Sequence, residues 1–185
     1  MLEKIHHIAK EKMGKAIETL EHNFQTVRTG RASLHILDNV TVNAYGTDTP
    51  IRQVATLSTP DARTMLIQPW DRGVMANVEK AILAANLGMT PGNDGKVIRL
   101  TVPPLTEERR KELVKVVKHM AEEERVAVRN VRRHTNDEIK KTEKQHEISE
   151  DSRDKMLKKV QVLTDDFIKK IDELLEKKEA EIMEV

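Results

Sequence analysis

The stretch RVAVRNVRRHTN, residues 125–136, places Arg125, Arg129, Arg132 and Arg133 within twelve residues that contain no acid. A guanidinium is always charged, and its planar fork pairs bidentately with phosphate oxygens. Wound at 3.6 residues per turn, Lys111, Lys115, Lys118, Arg125, Arg129, Arg132, Arg133 and Lys140 fall within roughly a third of a helix circumference. Glu107, Glu122 and Glu143 enter that sector, whereas Glu112, Glu123 and Asp137 fall outside it. The sector is expected nearly opposite an apolar seam through Leu113, Met120 and Val131. A linear array of cations on a straight helix suits a phosphate backbone better than a small ligand. Aromatic residues are only 2% of the chain, so base stacking cannot be the main mode of contact. The expected target is a structured nucleic acid read by shape, with RNA preferred.

Other chemistry finds little footing. The seven histidines (6, 7, 22, 35, 119, 134 and 146) form no HExxH pattern, and the adjacent His6 and His7 splay apart on a helix. Gly92-Asn93-Asp94-Gly95-Lys96 has the look of a phosphate loop but not the GxxxxGK[ST] spacing, and Val97 stands where a magnesium-binding hydroxyl belongs. It reads as a turn ahead of a strand. Asp165-Asp166 and similar acid pairs read as solvated. There is no GxSxG, and no set of nucleophile, base and oxyanion donors. The expectation is a protein that is not an enzyme and needs no metal or cofactor.

Composition bounds the partner and the compartment. In 185 residues, 32 Lys+Arg stand against 31 Asp+Glu, a net charge of +1, so any polyanion must meet a local basic face rather than the whole surface. Cysteine is absent, which excludes disulfides and thiolate chemistry. The N-terminal MLEKIHHIAKEKMGK has no apolar core of the signal-peptide kind, and the longest aliphatic run, Ala81–Ala85, is far too short to cross a bilayer. A soluble, cytoplasmic protein is expected, with no membrane partner.

The elements that must carry the cations follow from where helix breakers occur. All six prolines lie in residues 31–104, which hold 13 charged residues in 74 positions. From Leu105 onward there are 81 residues with neither Gly nor Pro. That predicts long helices in the flanks and strands and turns in the middle. A first helix over about 2–29 carries Met13, Ile17, Leu20, Phe24 and Val27 at steps of 4, 3, 4, 3. A second starts after Pro103-Pro104 with Thr106 as N-cap and Glu107 and Glu108 in its first turn. Its seam runs through Leu113, Val117, Met120, Ala127 and Val131, with Glu124 in register as a flaw. A third restarts at Ile148-Ser149-Glu150-Asp151 and carries Met156, Val160, Leu163, Phe167, Ile171 and Leu174. Three one-sided helices can close a bundle. The middle segment shows strand patterns at Val40–Tyr45, Thr64–Ile67 and Val97–Val102, and a helix through Met75, Val78, Ile82 and Leu83 that stops at Gly88. The predicted fold is α+β: a discontinuous three-helix bundle (residues 1–30 and 105–185) into which a small β/α/β domain (31–104) is inserted. The two short crossings, 29–31 and 103–106, are expected to hinge.

Four stretches make the sequence recognisable: VRTGRAS (Val27–Ser33), VEKAI (Val78–Ile82), PPLTEERRKEL (Pro103–Leu113) and RVAVRNVRRHTNDEIK (Arg125–Lys140). With ISED (Ile148–Asp151) and KEAEIM near the C-terminus, the chain resembles the bacterial ribosome recycling factors along essentially its whole length. The resemblance implies an L-shaped molecule that binds the post-termination ribosome through large-subunit rRNA. It implies that, with elongation factor G and its GTP, the protein helps split the subunits and release mRNA and tRNA. By matching motifs it implies that Arg110, Arg129 and Arg132 face rRNA, as do Arg28 and Arg31, which flank a hinge made of Gly30, Pro103, Pro104, Leu105 and Thr106. Arg133 joins the rRNA-facing group from the charge layout alone. Where many members have proline after RAS, this chain has Leu34-His35. A coiled-coil-like structural adaptor and a general RNA-binding protein are the alternatives; few apolar residues fall outside the seams, which favours a monomer.

Overall fold

A computed structural model describes residues 1–184. The chain divides into two compact units, one formed by Met1–Val27 and the chain from Glu107 onward, the other by Arg28–Thr106.

The first unit is three helices: α1 (Leu2–Thr26), α3 (Glu107–Lys144) and α4 (Glu150–Met183). Helix α1 buries Ile5, Ala9, Met13, Ala16, Leu20 and Phe24, an apolar stripe at steps of three and four. On α4 the buried set is Met156, Val160, Leu163, Thr164, Phe167, Ile171 and Ile182. Helix α3 buries Leu113, Val117, Ala121, Val128, Thr135, Ile139 and Thr142. The expected seam residues Met120, Ala127 and Val131 are only half-buried. The buried face is therefore turned from the expected one by roughly 50°, at 100° per residue. Threonines hide this from the sequence. The hydroxyls of Thr135, Thr142 and Thr164 donate to the carbonyls of Val131, Glu138 and Val160, four residues back, at 2.8, 2.9 and 2.7 Å. Each satisfies its polar atom inside its own turn and presents a methyl group to the core.

The α3–α4 break is made without glycine. His146 adopts φ +60°, its N–H donates to Glu143 O at 2.8 Å, and Glu147 N–H reaches Thr142 O at 3.2 Å. Those two bonds close a Schellman motif, with a histidine in the place usually held by Gly. Ser149 then caps α4 by accepting from Ser152 N–H at 3.2 Å, with Glu150 and Asp151 in the first turn.

The second unit contains a two-stranded hairpin, β1 (Thr41–Ala44) and β2 (Thr47–Pro50), and a four-stranded antiparallel sheet of order β3-β4-β6-β5. Its strands are β3 (Ala55–Asp61), β4 (Thr64–Pro69), β5 (Gly92–Asn93) and β6 (Ile98–Thr101), with α2 (Met75–Ala84) between β4 and β5. Alternation places Val42 and Ala44, Met65 and Ile67, and Ile98 and Leu100 in one core with Met75, Val78 and Ile82 of α2. Strands β2, β3 and β5 escaped the sequence reading. They are polar, and β3 is an edge strand interrupted between Ser58 and Asp61, which is where a sheet tolerates Pro60.

Both ends of this unit are fastened to one turn. Ala32 N–H donates to Ala62 O at 2.7 Å, and Val102 N–H donates to Arg63 O at 2.8 Å. Arg63 returns two bonds from its guanidinium to Val102 O, at 3.2 and 3.1 Å. Gly30 sits at φ +78°, where a side chain would be strained, and an added Cβ would stand 3.1 Å from Leu105 Cγ. No helix among the described residues is long and apolar enough to cross a membrane.

Candidate nucleic-acid interface

Helix α3 sets the geometry of the cations, because one straight helix fixes their order and spacing. The turn of its buried face changes their setting. The basic sector is not nearly opposite the core, as the sequence suggested, but beside it, so its near edge overhangs α4. Two rows result. The inner row, Lys118, Arg125 and Arg132, reaches across to α4. Lys118 Nζ lies 3.5 Å from Glu179 Oε1, and Arg132 donates to Gln161 Oε1 at 3.3 Å. Arg125 donates from Nε and Nη2 to Asp172 Oδ1 at 2.9 and 2.6 Å. The outer row is Lys111, Lys115, Arg129, Arg133 and Lys140, with Glu122 among them.

Arg125 is the most constrained member. Its side chain is 19% exposed, and Nη1 also donates to Glu122 Oε2 at 3.0 Å. Burial works against its charge, yet the bonds it donates to Asp172 and Glu122 outweigh that and hold it more firmly protonated than usual. The other oxygen of Glu122 accepts from Arg129 Nη1 at 3.0 Å. Hydrogen bonds from Arg125 and then Arg129 keep the Glu122 carboxyl below the usual carboxylate range. In the outer row Lys111 pairs with Glu107 at 2.7 Å between two well-exposed side chains, a contact worth little in water. The side chains of Lys115, Arg133 and Lys140 make no ion pair or hydrogen bond among the described residues.

The other expected site residues have settings of their own. Arg110, half-buried in the first turn of α3, reaches the C-terminal end of α4, where Nη1 donates to the carbonyls of Ile182, at 2.7 Å, and Glu184. There a cation suits the negative end of the helix. Arg28 donates to Leu87 O at 2.9 Å inside the second unit. Arg31 lines a cavity of about 210 Å³ with Gly30, Pro103, Pro104 and Leu105, whose other walls include Ile36, Leu87, Met89 and Val102. Arg129, Arg132 and Arg133 thus share one side of α3, Arg110 lies in the first turn of the same helix, and Arg28 and Arg31 belong to the second unit. Sequence reasoning noticed Glu122 only as an intruder and missed Asp172. The i, i+3 and i, i+7 spacings of Glu122 to Arg125 and Arg129 were the available signal; nothing local could have pointed to a partner 47 residues away.

The glycine-containing turn before β6 is filled by its own side chains. Asp94 Oδ1 accepts from the N–H groups of Lys96 and Val97 at 2.9 and 2.8 Å, and Asn93 Oδ1 accepts from Gly95 N–H at 2.7 Å. The amides that could cradle a phosphate are already taken.

A family model described as ribosome recycling factor matches residues 20–183. A ribosome-recycling factor from Halothermothrix orenii is 52% identical over 185 residues, with both chains fully covered. One from Caldicellulosiruptor saccharolyticus is 57% identical over 178 residues, covering 96% of this chain and 97% of its own. Among solved structures, a solution structure of the ribosome recycling factor is similar over 100% of this chain and 98% of its own, with a TM-score of 0.77 and 43% identity. Models of the Thermus thermophilus ribosome recycling factor and the Escherichia coli elongation factor G bound to the E. coli post-termination complex contain a chain of 43% identity. The similarity covers 100% of this chain and 100% of that one, at a TM-score of 0.65.

Proposed function

The chain belongs to the ribosome recycling factor family, and from that premise we propose how its two units share the work of clearing a ribosome after termination. The protein binds the post-termination ribosome in the cytoplasm and acts there with elongation factor G. GTP hydrolysis by that partner supplies the energy. The subunits separate, and mRNA and tRNA leave.

The helical unit is the rRNA-binding arm. Arg129, Arg132 and Arg133 of α3 meet large-subunit rRNA phosphates, with Lys115 and Lys140 extending the line. Arg110, Arg28 and Arg31 complete the rRNA-facing set; Arg110 must give up a helix-end carbonyl to do so, and Arg28 must release Leu87. The inserted unit, 31–104, takes the push of the elongation factor and turns on 29–31 and 103–106. Fastening of Ala32 and Val102 to the Ala62–Arg63 turn supports this division, since it confines flexibility to Gly30, Pro103, Pro104, Leu105 and Thr106.

The observation that carries the reading is the match to the family over the chain's whole length. The test is subunit splitting followed by light scattering on post-termination ribosomes. Splitting is expected only when this protein, elongation factor G and GTP are all present. Splitting that persists without the protein, or fails with all three, refutes the reading.

A further inference from the structure

Glu122 stands where the outer row's spacing would place a cation. Lys115, Glu122 and Arg129 follow one another at intervals of seven residues, about 10 Å along the helix axis, with Lys140 further along the same side. Its carboxylate is also fixed. One oxygen is bonded to Arg125, a side chain only 19% exposed and anchored by Asp172 on α4, and the other is bonded to Arg129. A carboxylate bridging two guanidinium groups occupies the position a bridging phosphate would take.

Resting on the reading of this row as rRNA-facing, we propose that Glu122 is a selectivity residue that keeps the row from binding unstructured RNA. A flexible single strand approaching α3 meets a negative charge in the middle of the cations and finds Arg129 already engaged. It gains too few contacts elsewhere to displace the bridge. A folded rRNA surface engages Arg132, Arg133 and Lys140 together, and so can separate Arg129 from Glu122 or dock around the pair. Selectivity of this kind comes from disfavouring the wrong partner rather than tightening the right one.

The test compares the full-length protein with its Glu122→Gln variant, using poly(U) as the single strand and isolated large ribosomal subunits as the folded target, over a series of salt concentrations. Glutamine keeps the size and removes the charge, and a thermal melt verifies folding. Freeing one cation should steepen the poly(U) salt slope by roughly 0.7 and tighten poly(U) binding about fivefold at 0.1 M salt. Affinity for subunits should tighten by a clearly smaller factor, because the folded surface already draws Arg129 away from Glu122. Unchanged poly(U) binding overturns the proposal. So does tightening of both targets alike, which would make Glu122 a general electrostatic brake. A loss of subunit binding with poly(U) unaffected also overturns it, and would make Glu122 a positioning residue for the arginines. If the unaltered protein binds subunits no better than poly(U), the rRNA reading itself fails, and the proposal with it.

Discussion

Arg125 and Arg133 lie two helical turns apart in the same basic stretch, yet only Arg125 is bonded to carboxylates of the bundle, and exchanging each for glutamine tells the two settings apart. The Arg133 side chain makes no hydrogen bond or ion pair among the described residues. Arg133→Gln should leave stability within about 0.5 kcal/mol and Tm within about 2 °C. If Arg133 meets one rRNA phosphate, its loss should flatten the log–log salt dependence of ribosome binding by roughly 0.7–0.9, a fall in affinity of about five- to eightfold at 0.1 M salt. Arg125→Gln removes three charge-assisted bonds, two to Asp172 and one to Glu122. Those carboxylates are 54% and 51% exposed and recover water, so the net cost is about 1–2 kcal/mol, well below the sum for buried bonds. That corresponds to a drop in Tm of roughly 2–8 °C. Its salt slope should stay within about 0.3 of the unaltered protein's. Sedimentation with large subunits at several salt concentrations, beside circular-dichroism melts, reads both quantities. A lost slope for Arg125→Gln with an unchanged melt, or a full slope for Arg133→Gln, would refute the assignment of inner and outer rows.

Gly30→Ala forces a Cβ into φ +78° and to within 3.1 Å of Leu105 Cγ, so a cost of about 1–2 kcal/mol and slower subunit splitting are expected; an unchanged melt would mean that the backbone there relaxes freely. Glu124 lies half-buried in the α3 seam, where burial and then the neighbouring Glu123 push its carboxyl up. A raised folded-state value means that the folded chain holds the proton more tightly than the unfolded chain, so stability falls as pH rises from the unfolded value through the folded one. Glu124→Gln should therefore raise Tm by about 1–2 °C at pH 7 and leave it unchanged at pH 3, where both states are protonated; equal shifts at both would remove ionisation as the cause. Thr164, fully buried, spends its hydroxyl on Val160 O in its own helix, so Thr164→Val should change stability by no more than about 1 kcal/mol in either direction. A loss above about 2 kcal/mol in denaturant titration would point to a further partner for that hydroxyl.

The helices could be read from the chain because their signals are local. Breaker-free runs, 3–4 spacing and the Ser149 cap each depend on a few neighbouring residues. Which face of α3 is buried was less legible. Ala121, Thr135 and Thr142 carry little hydrophobic signal, and a threonine that satisfies itself is indistinguishable by type from one that needs water. Strand β2, TDTP, belongs to a hairpin that turns through Tyr45 at φ +54° and Gly46 at φ +82°. Its register depends on pairing with β1 rather than on its own polarity. The cations were legible as a group and not as individuals. Whether an arginine is spent or spare depends on what the antiparallel neighbour brings opposite it, as Asp172 is to Arg125 and the carbonyl of Ile182 is to Arg110. Seven-residue spacing told where the charges would sit but not which were already neutralised.

The turn at Ala62–Arg63 accepts the amides of both Ala32 and Val102, so the chain's way in and its way out share a single mooring. A displacement of either end would pull on the same two peptide groups. Lengthening that loop by even one residue would disturb the bonds that hold entry and exit together.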